Sequence, residues 1–300
     1  MTDLTVQLCT YNRAHLLRRV LEALFAQDHD PQRYEIVLVN DGSTDATHDL
    51  IESLRAQAPC RFEVIHQENA GLAKGRNVGI ARAAGEIVLF IDDDILATPV
   101  LVREHVAAHA AHPRSIVRGA VINVESFDEL PPPIWTPKNY SGNYFWTSNV
   151  SLPKALLDEV GPFNESFSEY GWEDLELGLR LRHAGVPSLF EKRAVVYHHK
   201  PRPTAKSVAG MVRQAKAQAR TAVQFKDLHP HWRVWLATGQ TPPHVLLHRA
   251  LRRLKLSNAM LALLGTVQDE SKPLSPLQLA AARALAREAY FEELERVAPT

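Results

Sequence analysis

Apolar residues in this chain come in short blocks separated by longer striped segments. Leu4–Thr10 and residues 34–39, 62–66 and 86–91 are compact apolar blocks of strand length. Between the first two, residues 12–26 place Leu16, Leu17, Val20, Leu21, Leu24 and Phe25 on one helical stripe. Thr44 and Asp45 supply an N-cap for a helix running to about residue 57, and 71–84 reads as a helix punctuated by glycine. Strand and helix alternate four times before residue 92. This rhythm predicts an α/β fold with a mostly parallel, Rossmann-like central sheet and flanking helices. The run 87–91 contains no polar residue, which suits a strand buried on both faces.

The pattern then changes. Residues 99–112 predict a helix, 117–124 a strand, 125–146 a proline-rich loop, 152–160 and 173–184 helices, and 194–197 a last strand. Pro201-Arg202-Pro203 marks a boundary, giving a first domain over 1–203 and a helical C-terminal region over 204–300, with helices at 205–226, 243–264 and 276–297. The formal net charge is zero, but residues 204–300 hold 14 Lys/Arg against 7 Asp/Glu, while 1–203 hold 20 against 27. An acidic first domain argues against nucleic acid as a partner. Two cysteines make no disulfide framework, the opening lacks a basic leader, and no apolar run reaches membrane-spanning length. A cytoplasmic location is expected, with attachment to the inner face of a membrane left open.

Candidate chemistry lies where the strands end, because open α/β sheets bind ligands beyond their carboxyl edges. Asp92-Asp93-Asp94 follows the most buried strand. Three carboxylates there are costly unless neutralised, and a hard divalent cation, Mn²⁺ or Mg²⁺, neutralises them while holding a substrate's phosphates. A solvated acidic turn is the plain alternative. Asp41 ends a second strand and suits a ribose or base contact, or a simple turn. Around Gly75-Arg76-Asn77-Val78-Gly79, cations near a helix start suit phosphate or packing. Gly171-Trp172-Glu173-Asp174-Leu175-Glu176 opens a helix with carboxylates, either as dipole partners or as a general base beside an aromatic wall. His198-His199 closes a strand and offers imidazole.

Thr10-Tyr11-Asn12-Arg13, Asn40-Asp41-Gly42-Ser43-Thr44-Asp45, the Arg76-Asn77 segment, Asp92–Asp94 and Gly171–Glu176, in that order and spacing, resemble a family 2 glycosyltransferase of GT-A fold over about residues 3–200. Gly161-Pro162-Phe163-Asn164-Glu165 with the following acidic segment resembles the galactosyl- and N-acetylgalactosaminyltransferase type, although Asn164 stands where that pattern has Asp. The resemblance implies inverting transfer from a nucleotide-diphosphate sugar, with UDP-sugars the commonest donors. It implies that Thr10, Tyr11, Arg13, Asp41, Arg76 and Asn77 bind the nucleotide. Asp92 and Asp93 would serve the donor, and Asp94, Asp92 and His198 the metal. Asp174 would be the base, helped by Glu173. Trp172, Ser148 and Asn149 are the expected acceptor contacts, and Trp146 is a further candidate for stacking on a sugar.

The basic apolar segment 243–264 suits an anionic membrane surface or docking on the chain's own first domain. The Gln-x-x-Arg-Trp element of processive synthases is absent, which favours addition of a single sugar to a glycan or lipid-linked acceptor in cell-surface or exopolysaccharide synthesis. Two rivals remain: a nucleotidyltransferase on a similar sheet, disfavoured because residues 8–16 contain no glycine loop, and a non-catalytic nucleotide-sugar or lipid-surface binding protein.

Overall fold

A computed structural model describes residues 2–244, 246, 248, 256–266 and 269–297. They fall into two compact units, Met1–Ser168 with Glu173–Pro201, and Glu169–Trp172 with Arg202–Thr300.

The first unit is built on one eight-stranded sheet in the order β3-β2-β1-β4-β7-β6-β8-β5. Its opening half follows the predicted rhythm: β1 (Leu4–Thr10), α1 (Ala14–Phe25), β2 (Tyr34–Asp41), α2 (Thr47–Arg55), β3 (Arg61–Gln67), α3 (Leu72–Arg82) and β4 (Ile87–Phe90). These four strands are mutually parallel. The chain moves outward from β1 to β3 and then returns to the other side of β1 with β4. A crevice at such a reversal opens between the carboxyl ends of β1 and β4, where Thr10 and Asp92 lie.

The other half is mixed. β5 (Ile95–Ala97), α4 (Leu101–Ala111), β6 (Ile116–Val124), β7 (Val150–Pro153), α5 (Lys154–Val160), α6 (Glu173–His183) and β8 (Ser188–His199) complete the unit. β7 is antiparallel to β4 and β6, β8 is parallel to β6, and β5 is antiparallel to β8. Three differences from the sequence reading appear. The expected helix at 152–160 begins with a strand, because Val150–Pro153 completes ladders with β4 and β6. The short β5 was not anticipated. β8 starts six residues earlier than 194, through a half-exposed stretch whose pairing with β6 substitutes for apolar patterning.

Alternation along β4 feeds two apolar layers. Leu89 and Ile91 pack with the α1 stripe (Leu17, Val20, Leu21, Leu24) and with Ile51 and Leu54 of α2. Val88 and Phe90 pack with Ile80, Phe145, Phe163 and Leu177 on the opposite face. Each fully buried Leu, Val or Phe contributes roughly 1.5–3 kcal/mol relative to exposure, so the strand carrying the acidic triplet at its end is firmly held.

One buried polar cluster ties β7 to α4. Asn149 Nδ2 donates to the carbonyls of Ala120 and Ala194 at 3.2 and 2.9 Å, so its Oδ1 accepts from His105 Nε2 at 2.9 Å. His105 Nδ1 then accepts from Ser151 Oγ, which in turn accepts from His109 Nε2, both at 2.7 Å. Both imidazoles are buried and neutral. Burial lowers His105 to about 4, and burial together with His105 lowers His109 to about 3. A histidine depressed below its unfolded value binds more protons when unfolded, so its contribution is lost as pH falls below about 6.5. Relative to His109→Gln, the wild type should therefore lose roughly 2 kcal/mol of stability between pH 6.5 and 5. Urea midpoints of the two proteins at pH 7.5 and 5 measure this; a constant gap would refute it.

The second unit is helical: α7 (Ala205–Leu228), α8 (Trp232–Ala237), α9 (Leu256–Leu264) and α10 (Pro276–Val297). Thr204 and Ser207 form a capping box at the start of α7. Ala219, Ala222 and Leu294 form its core, with Trp172, Tyr290 and Phe291 packed around them. Arg220 bridges Glu169 and Glu293, and Arg296 also binds Glu293. Among the described residues no helix is long and apolar enough to cross a membrane. Arg249, Arg252, Arg253 and Lys255, the cations expected to face a membrane from 243–264, lie outside the described residues.

Candidate active site

Two loops form the wall beyond β1 and β2. Asn12 adopts a left-handed conformation, φ +54°, which asparagine tolerates better than most residues. Its Oδ1 accepts from the backbone N–H of Thr44 and Asp45 at 2.7 and 3.2 Å, and its own N–H donates to Ser43 Oγ at 2.9 Å. The next N–H, of Arg13, donates to Thr47 Oγ1 at 3.0 Å. The latch leaves Tyr11 about half exposed and turns Arg13 towards the acidic triplet. Asn12, Ser43 and Thr47 were not singled out as site residues; the only signal was Asn, a residue type suited to positive φ.

Asp41 is buried at the end of β2. Its carboxylate accepts from Gln67 Nε2 at 2.7 Å and from the N–H groups of Ala70 and Gly71 at 2.9 and 3.1 Å. It thereby fixes the loop that enters α3. Gly42, at φ +78°, lets the backbone of Asn69 come where a Cβ would lie 2.6 Å from its nitrogen.

The three aspartates take different partners, with Arg13 shared by the second and third. Asp92 accepts from Ser148 Oγ at 2.7 Å and from Arg76 Nη2 at 3.3 Å. Asp93 accepts from Thr10 Oγ1 at 2.8 Å and faces Arg13 Nε at 3.3 Å. Burial nevertheless raises its carboxyl to about 7, against the pull of Arg13 and Thr10. Asp94 meets Arg13 Nη2 at 3.6 Å and His198 Nε2 at 3.5 Å. Burial raises its carboxyl, but His198 and Arg13 outweigh that and hold it below the usual carboxylate value.

Arg76, on α3, is the hub. Its buried guanidinium donates to Glu173 Oε1 at 2.8 Å and Thr147 Oγ1 at 2.7 Å, besides Asp92, and lies 5.2 Å from the Phe163 ring centroid. This one cation joins the triplet to the acidic start of α6. Beside it lies Asp174, partly buried, with its Oδ1 accepting the adjacent Leu175 N–H at 2.7 Å. Burial and the neighbouring Glu173 raise its carboxyl to about 7, with Arg76 opposing.

His198 arrives from far along the chain, because β8 sets it opposite Ile95 on one side and beside Asn123 on the other. Its Nδ1 lies 3.0 Å from Asn123 Oδ1, an acceptor, which places the ring proton on Nδ1. Protonated at Nε2, the ring pairs with Asp94; unprotonated there, it turns a bare lone pair towards Asp94 Oδ1, a buried oxygen with no hydrogen-bond partner. A cation between these two acceptors satisfies both, and carboxylate oxygen with imidazole nitrogen is a donor set that Mn²⁺ accepts. Among the described residues no cluster of three or more His, Cys, Asp or Glu forms a closed cage. Asn123 had no sequence signal.

Other expected residues stand apart from this group. Asn77 clamps the loop before α6, exchanging bonds with the backbone of Phe163 at 2.9 and 3.0 Å. Asn149 is held in the buried histidine cluster. Trp146 packs against the apolar core of β1 and α1. Trp172 belongs to the second unit, where its indole N–H donates to the Gln218 carbonyl at 2.8 Å.

Residues 5–159 match the family model described as Glycosyl transferase family 2. The chain is 33% identical over 222 residues to validoxylamine A glucosyltransferase of Streptomyces hygroscopicus subsp. limoneus, covering 61% of this chain and 49% of that protein. It spans about half the length of the validoxylamine A glucosyltransferases it matches. Its fold matches Staphylococcus aureus TarS 1–349 crystallised with UDP-GlcNAc, with TM-score 0.58, 21% identity, and coverage of 98% of this chain and 91% of that one. It also matches the mannosyltransferase PcManGT of Pyrobaculum calidifontis in complex with GDP-Man and Mn²⁺, with TM-score 0.60, 20% identity, and coverage of 98% and 86%.

Proposed function

Because the chain belongs to glycosyl transferase family 2, we propose that it transfers one sugar from a nucleotide-diphosphate sugar, a UDP-sugar in the first instance, to an acceptor hydroxyl with inversion. The observation that carries this is the meeting of Asp92 and Glu173 on the single guanidinium of Arg76, which sets a partly buried base candidate, Asp174, beside the carboxylate triplet.

In this reading Thr10, Tyr11, Arg13 and Asp41 receive the nucleotide, and the partly exposed Arg13 exchanges its pairing with Asp93 and Asp94 for the diphosphate. Arg76 fixes Asp92 towards the donor sugar and Glu173 beside the acceptor. Asp94 and His198 would hold Mn²⁺ or Mg²⁺, whose chemistry there is to offset the charge of the departing diphosphate. Asp174, ionised, takes the acceptor hydroxyl proton as oxygen attacks the anomeric carbon from the face opposite the leaving group. Ser148, bonded to Asp92, is the acceptor-side candidate with a direct link to the donor site; Asn149 and Trp172 would act only through the scaffold. The acceptor is proposed as a glycan or lipid-linked hydroxyl in surface polysaccharide synthesis, on the cytoplasmic side of the membrane. A relative named for glucosyl transfer and folds crystallised with UDP-GlcNAc or GDP-Man support a nucleotide-sugar donor.

Thermal melts with UDP, GDP, dTDP and CDP in the presence of Mn²⁺ test the donor site. The fitting nucleotide at a hundred times its Kd should stabilise the fold by about 2.7 kcal/mol. If none raises the midpoint and no nucleotide sugar is turned over, the transferase reading fails.

A further inference from the structure

Helix α8 carries its large apolar residues on the outside. Trp232, Trp235 and Leu236 stand at i, i+3 and i+4 on one face, and are 56%, 37% and 55% exposed, whereas Val234 between them is buried. Leu228, four residues before Trp232, is also exposed. This reverses the pattern of a helix whose outer face meets only water. The Arg233 guanidinium lies 4.6 Å from the Trp232 ring centroid, so a cation sits directly on the apolar face. From residue 204 to 244 the chain has six Lys/Arg and a single acid, Asp227.

We infer that this face of α8 docks on an anionic lipid surface. Indole is suited to the boundary of a bilayer, with an apolar body and a polar N–H, and cations beside it meet lipid phosphate. Charge complementarity selects this occupant. A second copy of the chain would set the same positive segment against itself, and like charges across an interface oppose docking. The surface uses none of the residues assigned to the donor site, so it stands whether or not the transferase reading holds.

Sedimentation of the full chain with phosphatidylcholine vesicles containing about 30 mol% phosphatidylglycerol, compared with phosphatidylcholine alone, tests it. Binding is expected to the anionic vesicles only, weakening as salt rises. Trp232→Ala combined with Trp235→Ala should lower the partition at least about tenfold, with some loss of melting temperature because Trp235 is only 37% exposed. Leu236→Glu, a single change at an exposed position, should lose binding too, and decides the matter should the double variant melt early. Undiminished binding by a folded variant overturns the inference, as does a wild type that ignores anionic vesicles at low salt. A vesicle-free dimer abolished by the double variant also overturns it, by assigning the face to a second copy.

Discussion

Asp174→Asn lowers sugar transfer by about 10²–10⁴-fold, the usual contribution of a general base, and at the same time makes the protein harder to melt. The two effects come from one cause. Asp174 is largely shielded from water and lies next to Glu173, so its ionised form is disfavoured in the fold and its carboxyl is raised to about 7. A carboxyl raised above its unfolded value of about 3.8 costs stability when ionised. That cost is fully present above pH 7, shrinks as the folded form takes up a proton, and is gone below about pH 4. An amide of the same shape carries no charge to desolvate. At pH 8 the variant should therefore melt higher, by on the order of 2–8 °C for a chain of this size, and the difference should vanish towards pH 4. Steady-state rates and melts at pH 8, 6 and 4 measure both arms. Retained activity would remove Asp174 as the base; a lower melting temperature at pH 8 would show that its carboxylate is held rather than strained.

Arg76→Met destabilises the protein by roughly 3–5 kcal/mol, the typical cost of breaking a buried ion pair from one side. Glu173, Asp92 and Thr147 all accept from this guanidinium, and removing it leaves two acids without their shared counter-charge. Arg76→Lys should recover little, since one ammonium cannot reproduce a planar fork aimed at three acceptors. Combining Arg76→Met with Glu173→Gln should return a clear fraction of the loss, because the second change removes one of the stranded charges. Chemical denaturation of the four proteins in the cycle checks this. Additive losses would mean that Arg76 stabilises through packing on Phe163 rather than through its acids.

How much of this was legible beforehand differs from residue to residue. The apolar run before Asp92 announced a buried strand, and three aspartates at its end announced a charge problem; both are local signals. Arg76 was visible as a cation near a helix start, but its bond to Glu173, 97 positions away, is a long-range contact that no local pattern encodes. β5 and β7 escaped notice because strands of three and four residues carry too little alternation, and their ladders come from distant partners. Asn77 and Asn149 show the limit of reading by residue type. A side-chain amide serves a ligand or a backbone equally well, and here both are engaged with carbonyls or N–H groups of the scaffold. Asn123 was invisible for the same reason, although it decides which nitrogen of His198 faces Asp94.

The placement of Glu169–Trp172 has a consequence for modularity. By sequence these four residues belong inside the sheet-bearing region, yet they are built into the helical unit. Glu169 is paired with Arg220, the Tyr170 carbonyl accepts from Thr221, and Trp172, held at φ +73°, is anchored on Gln218 and Phe225. The peptide that leaves Trp172 begins the helix of Glu173 and Asp174. Pro203, the obvious place to cut, therefore lies beside one boundary of the units but misses the other two, at 168/169 and 172/173. A fragment ending there would keep every strand of the sheet and lose what holds the residue preceding the acidic pair. Residues 169–172 are part of the helical region, so an exchange of C-terminal regions between relatives would have to carry them with it.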